Sequence, residues 1–142
     1  MPLVGGGGAG NTAGSNPAGT GTTLNLIRTD DRTYAYAYSG SIASSGTDFV
    51  MMLSFTTGAY TSILKWSADY FSNSGDNAVF RGTFNGEEIM GYFVNGGVTS
   101  PSDRDEIDLV IPPYTTCLFE GKNSSNNDTI YWFARLTGRV YE

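Results

Sequence analysis

Histidine is absent from the 142 residues, and cysteine occurs once. Without histidine there is no Ser–His or Cys–His nucleophile system and no His-ligated metal centre. A single cysteine excludes an intramolecular disulfide framework and every multi-cysteine zinc site. Basic residues are few as well: Lys65 and Lys122 are the only lysines, and Lys+Arg total 8 against 14 Asp+Glu, a formal net charge of −6. Phosphate binding needs clustered Lys and Arg, so nucleic acid is not expected as a partner. The opening stretch MPLVGGGG has neither a basic n-region nor a long apolar run, so neither a secretory signal nor a membrane span is expected. These absences point to a part that binds or builds. No enzymatic activity, cofactor or metal is expected.

What the chain does hold is glycine and aromatics: 19 Gly and 17 Tyr plus Phe. The glycines are unevenly placed. Residues 1–23 contain 8 of them, and no charged side chain precedes Arg28. Such a segment buries too little apolar surface to offset its own backbone entropy, so it reads as an extended arm that docks on something else. Fully extended, it would reach about 75–80 Å, further than one small domain is wide. Lacking charge, it would be held by backbone hydrogen bonds and a few apolar points such as Pro2, with Leu3 and Val4 filling a pocket on a neighbouring subunit. Residues 24–142 form the expected body, long enough to bury roughly 68% of its unfolded surface.

The body reads as β-structure. Thr33–Tyr38 alternates strictly and places Tyr34, Tyr36 and Tyr38 on one face of a strand. Residues 48–55 put Phe49, Met51, Leu53 and Phe55 on one side. Further strands are expected over 59–66, 78–84, 87–94, 107–111, 115–120 and 130–140. In the last, Ile130, Trp132, Ala134 and Leu136 alternate with Tyr131, Phe133, Arg135 and Thr137, and either set could face inward. Asn85-Gly86 is a strong hairpin signal, because a type I′ turn needs positive φ twice. Pro112-Pro113 closes the strand before it. No stretch holds a convincing helical period, although Ser67–Ser72 is compatible with one helical turn. About eight strands at this spacing predict an all-β fold, a jelly-roll-like antiparallel β-sandwich or a small barrel.

Candidate chemistry is thin. The acidic run Asp103–Asp108 has carboxylates at alternate positions but lacks the glycine and closing glutamate of an EF-hand loop, so it reads as a solvated loop. Glu87, Glu88, Glu106 and Glu120 are the candidates for an acid pair, and Glu87 and Glu88 point to opposite faces of a strand. Cys117 sits in a strand pattern and reads as a buried structural thiol. Gly5–Gly8 lacks the Lys-Ser/Thr of a phosphate loop. Asn123-Ser124-Ser125 and Asn127-Asp128-Thr129 match the glycosylation acceptor pattern and are taken as chance matches in an Asn/Ser-rich loop. Tyr34, Tyr36 and Tyr38 have two readings, a half-exposed sheet face or a contact surface for protein or glycan.

The Gly-rich arm, the all-β body, the pattern Tyr38-Ser39-Gly40-Ser41-Ile42-Ala43 with its following apolar strand, and the closing Leu136-Thr137-Gly138-Arg139-Val140-Tyr141 resemble small virion proteins of tailed bacteriophages. The similarity covers residues 33–142 and is to capsid decoration, or cement, proteins. It implies a jelly-roll-related sandwich on the outer capsid surface of a virion assembled in the host cytoplasm. It also implies a homo-oligomer, such as a trimer, whose arms tie neighbouring major capsid proteins together. A carbohydrate- or receptor-binding module of a tail appendage is the alternative. The family has no catalytic residues to carry over.

Overall fold

The computed structural model describes residues 23–72, 75–96, 106–125 and 128–142. Pro2, Leu3, Val4 and the rest of 1–22 lie outside the described residues, as do Asp103, Asp105 and Asn127.

The described residues form ten strands: β1 (Asn25–Arg28), β2 (Thr33–Tyr38), β3 (Ile42–Ser44), β4 (Val50–Thr56), β5 (Thr61–Ser72), β6 (Ala78–Phe84), β7 (Glu87–Val94), β8 (Ile107–Ile111), β9 (Thr116–Asn123) and β10 (Ile130–Tyr141). The eight expected strands are all present, and β1 and β3 are additions. Both additions are short, and both gain their backbone partners only at the edge of a sheet laid down by longer strands. Ser67–Ser72 is not a helical turn. It continues β5, because its backbone pairs residue by residue with Ile130–Arg135 of β10.

One expected side-chain pattern is corrected. Phe49 and Met51 do not share a face with Leu53 and Phe55, because the β4–β9 register shifts between Met51 and Leu53. The extra residue of such a bulge breaks the two-residue alternation. Met52 and Leu53 are therefore both buried, and Met51 is exposed.

The strands form two antiparallel sheets. One has six strands, ordered β1-β2-β10-β5-β8 with β3 also on β10, and the other is β4-β9-β6-β7. With the short β1 and β3 set aside, the remaining eight pair first with last along the chain. β2 joins β10, β4 joins β9, β5 joins β8 and β6 joins β7. This is a long antiparallel ribbon wrapped into two sheets, the jelly roll.

The core lies between the sheets. From the six-stranded sheet come Leu64, Trp66, Ile130, Trp132 and Leu136, and from the other Met52, Leu53, Phe80 and Phe119, each at most 1% exposed. Trp66 stacks on Phe119 with ring centroids 4.6 Å apart, and Phe80 meets Trp132 edge-on at 5.6 Å. Fully burying one such side chain stabilises the fold by about 1.5–3 kcal/mol. The inward set of β10 is thus Ile130, Trp132, Ala134 and Leu136, which sends Tyr131, Phe133, Arg135 and Thr137 outward. Gly121 makes room for Trp132: a Cβ there would lie 2.6 Å from the indole ring. The Asn85-Gly86 hairpin forms as expected, with φ of 52° and 86°. Asn85 also ties the turn to β9, its Oδ1 accepting from the Thr116 N–H at 2.9 Å.

Candidate functional site

Because side chains alternate along a strand and paired residues share a face, the register of the six-stranded sheet fixes its outer surface as a lattice of rows. One row crosses five strands as Ile27, Tyr34, Arg139, Ile63 and Val110. The next holds Asn25, Tyr36, Thr137, Lys65 and Asp108. Then come Tyr38, Arg135 and Ser67, followed by Phe133 beside Asp69 and by Ala43, Tyr131 and Phe71. Among the described residues, nine of the fifteen exposed large hydrophobic side chains lie on this one surface: Ile27, Tyr34, Tyr38, Ile63, Phe71, Val110, Tyr131, Phe133 and Tyr141.

All three stripe tyrosines point to this outer surface, while Ala35 and Ala37 face the core. They are not equally accessible. Tyr34 and Tyr38 are more than a third exposed, whereas Tyr36 is only 9% exposed. Its ring lies 5.4 Å from that of Tyr38. Asn25 and Thr137 flank it on the adjacent strands, so the middle of the stripe packs and the two ends present. Arg139 sits over Tyr141 at 4.9 Å. A cation over an aromatic face lets a charged side chain lie flat on an otherwise apolar surface.

The row with Tyr34 and the row with Phe133 differ because β2 stops. Beside β10, β2 covers Arg135–Val140 and β3 covers Ile130–Trp132, leaving Phe133 and Ala134 opposite the connecting residues. Ser39 bridges the break: its N–H donates to the Ala134 carbonyl at 2.9 Å, and its Oγ accepts from the Ala134 N–H at 2.8 Å. The chain then turns at Gly40, whose φ is 68°, in the left-handed region that glycine enters without cost. The result is a depression of about 420 Å³, walled by Tyr38, Ser67, Asp69, Glu106, Phe133 and Arg135.

Charges at this depression are held in place. Glu106 accepts an ion pair from Lys65 at 3.3 Å and faces Arg135 at 3.9 Å. The Tyr70 N–H donates to Asp69 Oδ1 at 2.7 Å. The ion pairs are solvent-exposed and so contribute little to stability, about 0–1 kcal/mol each. Their effect is to set side-chain positions and local charge.

The other expected candidates fall elsewhere. Glu120 faces out from the four-stranded sheet, paired with Arg81 at 2.9 Å, and Glu87 and Glu88 follow the hairpin turn of that sheet. Glu106 belongs to the six-stranded side, so these carboxylates are not gathered around one concavity. Cys117 is fully buried, and desolvation pushes its thiol from 9.0 up to about 12. A thiol so shifted stays neutral and unreactive. Asn123 is also buried, with its Nδ2 donating to the Asp128 carbonyl at 3.4 Å and its Oδ1 accepting from the Ser125 N–H. An acceptor asparagine must be presented to solvent, so the first glycosylation match is closed off. The four-stranded sheet has a smaller outer apolar area, where the Arg81 guanidinium lies 3.6 Å from the centre of the Phe49 ring, near exposed Met51, Ile89 and Phe93.

Among the residues of the outer surface, Ile27, Ile63, Phe71, Val110 and Asp69 were not singled out by sequence reasoning. Their only sequence signal is strand alternation, which becomes informative once the inward face of β10 is known.

No family model matches the chain, and no curated protein matches it. Among solved structures it is similar to the VP2 subviral particle of infectious bursal disease virus, with a TM-score of 0.45 and 13% sequence identity. That likeness covers 81% of this chain and 34% of the viral chain, so the chain spans about a third of the length of that neighbour.

Proposed function

We propose that the chain is a non-enzymatic structural protein of a virion, of the capsid decoration type. In this reading it binds and stabilises the shell of major capsid protein through the outer surface of its six-stranded sheet. One observation carries the reading: Ile27, Tyr34, Ile63 and Val110 are exposed in one row that crosses five strands, with Arg139 between Tyr34 and Ile63 and Tyr141 on the same surface. Four strand spacings make that row roughly 19 Å wide. Surfaces of this kind mark interaction sites, and tyrosine is favoured in them because it brings large, rigid area with a polar tip. The resemblance of residues 33–142 to decoration proteins supplies the partner. Residues 1–23 then bridge neighbouring shell subunits, and a homo-oligomer such as a trimer multiplies the weak contacts.

The alternative, a carbohydrate- or receptor-binding module of a tail appendage, draws on the depression beside Phe133. The jelly roll itself favours neither, since it serves both capsid proteins and lectins. The deciding experiment is the protein content of purified particles of the virus that encodes the chain. A decoration protein is present in many copies per shell and is depleted by Tyr34→Ser/Val110→Ser. Absence from the particles contradicts the proposal, and a few copies confined to the tail favours the alternative.

A further inference from the structure

We propose that the depression at the β2–β3 break binds a neutral pyranose unit of a glycan. The site stands apart from the docking row and is compatible with either location of the protein on a virion. Its volume, about 420 Å³, lies at the lower end of small-molecule sites, which run roughly 300–1,000 Å³.

Three features of the wall select a sugar. Phe133 and Tyr38 present half-exposed rings on adjacent strands, and an aromatic face accepts the C–H-rich face of a pyranose while excluding water from it. Asp69 lies directly across from Phe133, and Ser67 directly across from Arg135. A hydroxyl-bearing ring seated on Phe133 therefore shares the depression with a carboxylate acceptor, a guanidinium donor and a hydroxyl. Sugar hydroxyls donate and accept together, so this mixture suits them better than it suits a purely apolar or purely ionic ligand. The Tyr70 N–H fixes the Asp69 carboxylate, and Glu106 flanks Arg135, so the polar groups are placed before a ligand arrives.

Charge decides between neutral and acidic sugars. Lys65 and Arg135 are balanced at this end of the surface by Glu106 and Asp69, and the chain as a whole carries −6. Among the described residues an anionic sugar finds no uncompensated cation here, and the net charge of the chain opposes its approach. A neutral hexose meets neither cost.

The test is an array of neutral hexopyranosyl oligosaccharides beside sialylated and uronate-bearing ones, probed with the full chain and with Phe133→Ala, Asp69→Asn and Tyr34→Ala. All three positions are at the surface, and melting curves confirm that each variant folds. The expected result is binding to neutral glycans that drops about tenfold or more in the Phe133 and Asp69 variants and is unchanged in the Tyr34 variant. No binding to neutral glycans, a preference for the anionic ones, or binding unaffected by both notch substitutions overturns the proposal. Because Tyr34→Ala alters only the docking row, failure here leaves the shell-binding reading to be judged by particle content.

Discussion

The two ends of the outer surface of the six-stranded sheet are made from similar residues and have different shapes. At the Tyr34 end, β2 stays paired with β10, the rows are unbroken from β1 to β8, and Ile27, Tyr34, Ile63 and Val110 form an open strip around Arg139. At the Phe133 end, β2 has left the sheet and β3 has not yet joined it, so the same strand β10 borders a depression. Continuity of strand pairing, more than composition, separates the end proposed to meet another protein from the end proposed to hold a small polar ligand. Both ends hold a depression of about 420 Å³: the one at the Tyr34 end is the more open and is walled by Tyr34, Tyr36, Thr137 and Arg139, whereas the one at the Phe133 end sets Tyr38 and Phe133 beside Ser67, Asp69, Glu106 and Arg135.

The comparison breaks most visibly if the Tyr34 end is made acidic. Ile63→Asp/Val110→Asp places two carboxylates on the strip, and it is expected to weaken particle association about a hundredfold, as for interface hot spots. Both positions are exposed, so the melting temperature should change little. Phe133→Ala is expected to leave particle association unchanged, and loss of association there would place the contact at the wrong end.

A change in the core should affect both ends alike. Gly121→Ala drives a methyl group against the Trp132 ring, with an expected loss of about 1–3 kcal/mol by denaturant unfolding. Below the unfolding transition, particle association and glycan binding should both persist.

An effect confined to high pH is expected from Cys117. The unfolded thiol ionises near 9.0, whereas burial holds the native thiol neutral until about 12. Its contribution is complete below pH 9 and declines as pH rises toward 12, by at most about 1.4 kcal/mol per pH unit. Cys117→Ala, compared with the parent chain over that range, should remove this component of the alkaline loss. Equal slopes in the two proteins would contradict it.

The smallest change sharpens the notched end. Glu106→Gln removes the carboxylate shared by Lys65 and Arg135, both exposed pairs, so stability should move by less than about 1 kcal/mol. The uncompensated cations should nonetheless extend glycan binding to anionic sugars on the same array.

Much of the fold was legible in the sequence because local chemistry and tertiary structure agree. Asn85-Gly86 makes its turn wherever it is placed, Pro112-Pro113 ends β8, and the alternation of Thr33–Tyr38 puts the tyrosines on one surface. The inward face of β10 was not legible, because Trp132 and Phe133 are both aromatic and only the sheet packed against the strand chooses between them. The bulge at Met52 was hidden for a related reason: an unbroken apolar run carries no mark of where register shifts. The candidate site was legible only as the tyrosine stripe. Ile63 and Val110 acquire meaning through pairing with distant strands, and the notch depends on a gap between β2 and β3 that no local signal announces.

Hydroxyl-radical footprinting of the protein, free and bound to the capsid shells that the proposed function gives it as partner, tests the central claim most directly. The predicted result is protection of Tyr34, Ile63, Val110 and Tyr141 on binding, with Phe71, Phe133 and Phe93 remaining as reactive as in the free protein. Protection centred on Phe93, Met51 and Ile89 of the opposite sheet, with Tyr34 and Val110 still reactive, would contradict the account.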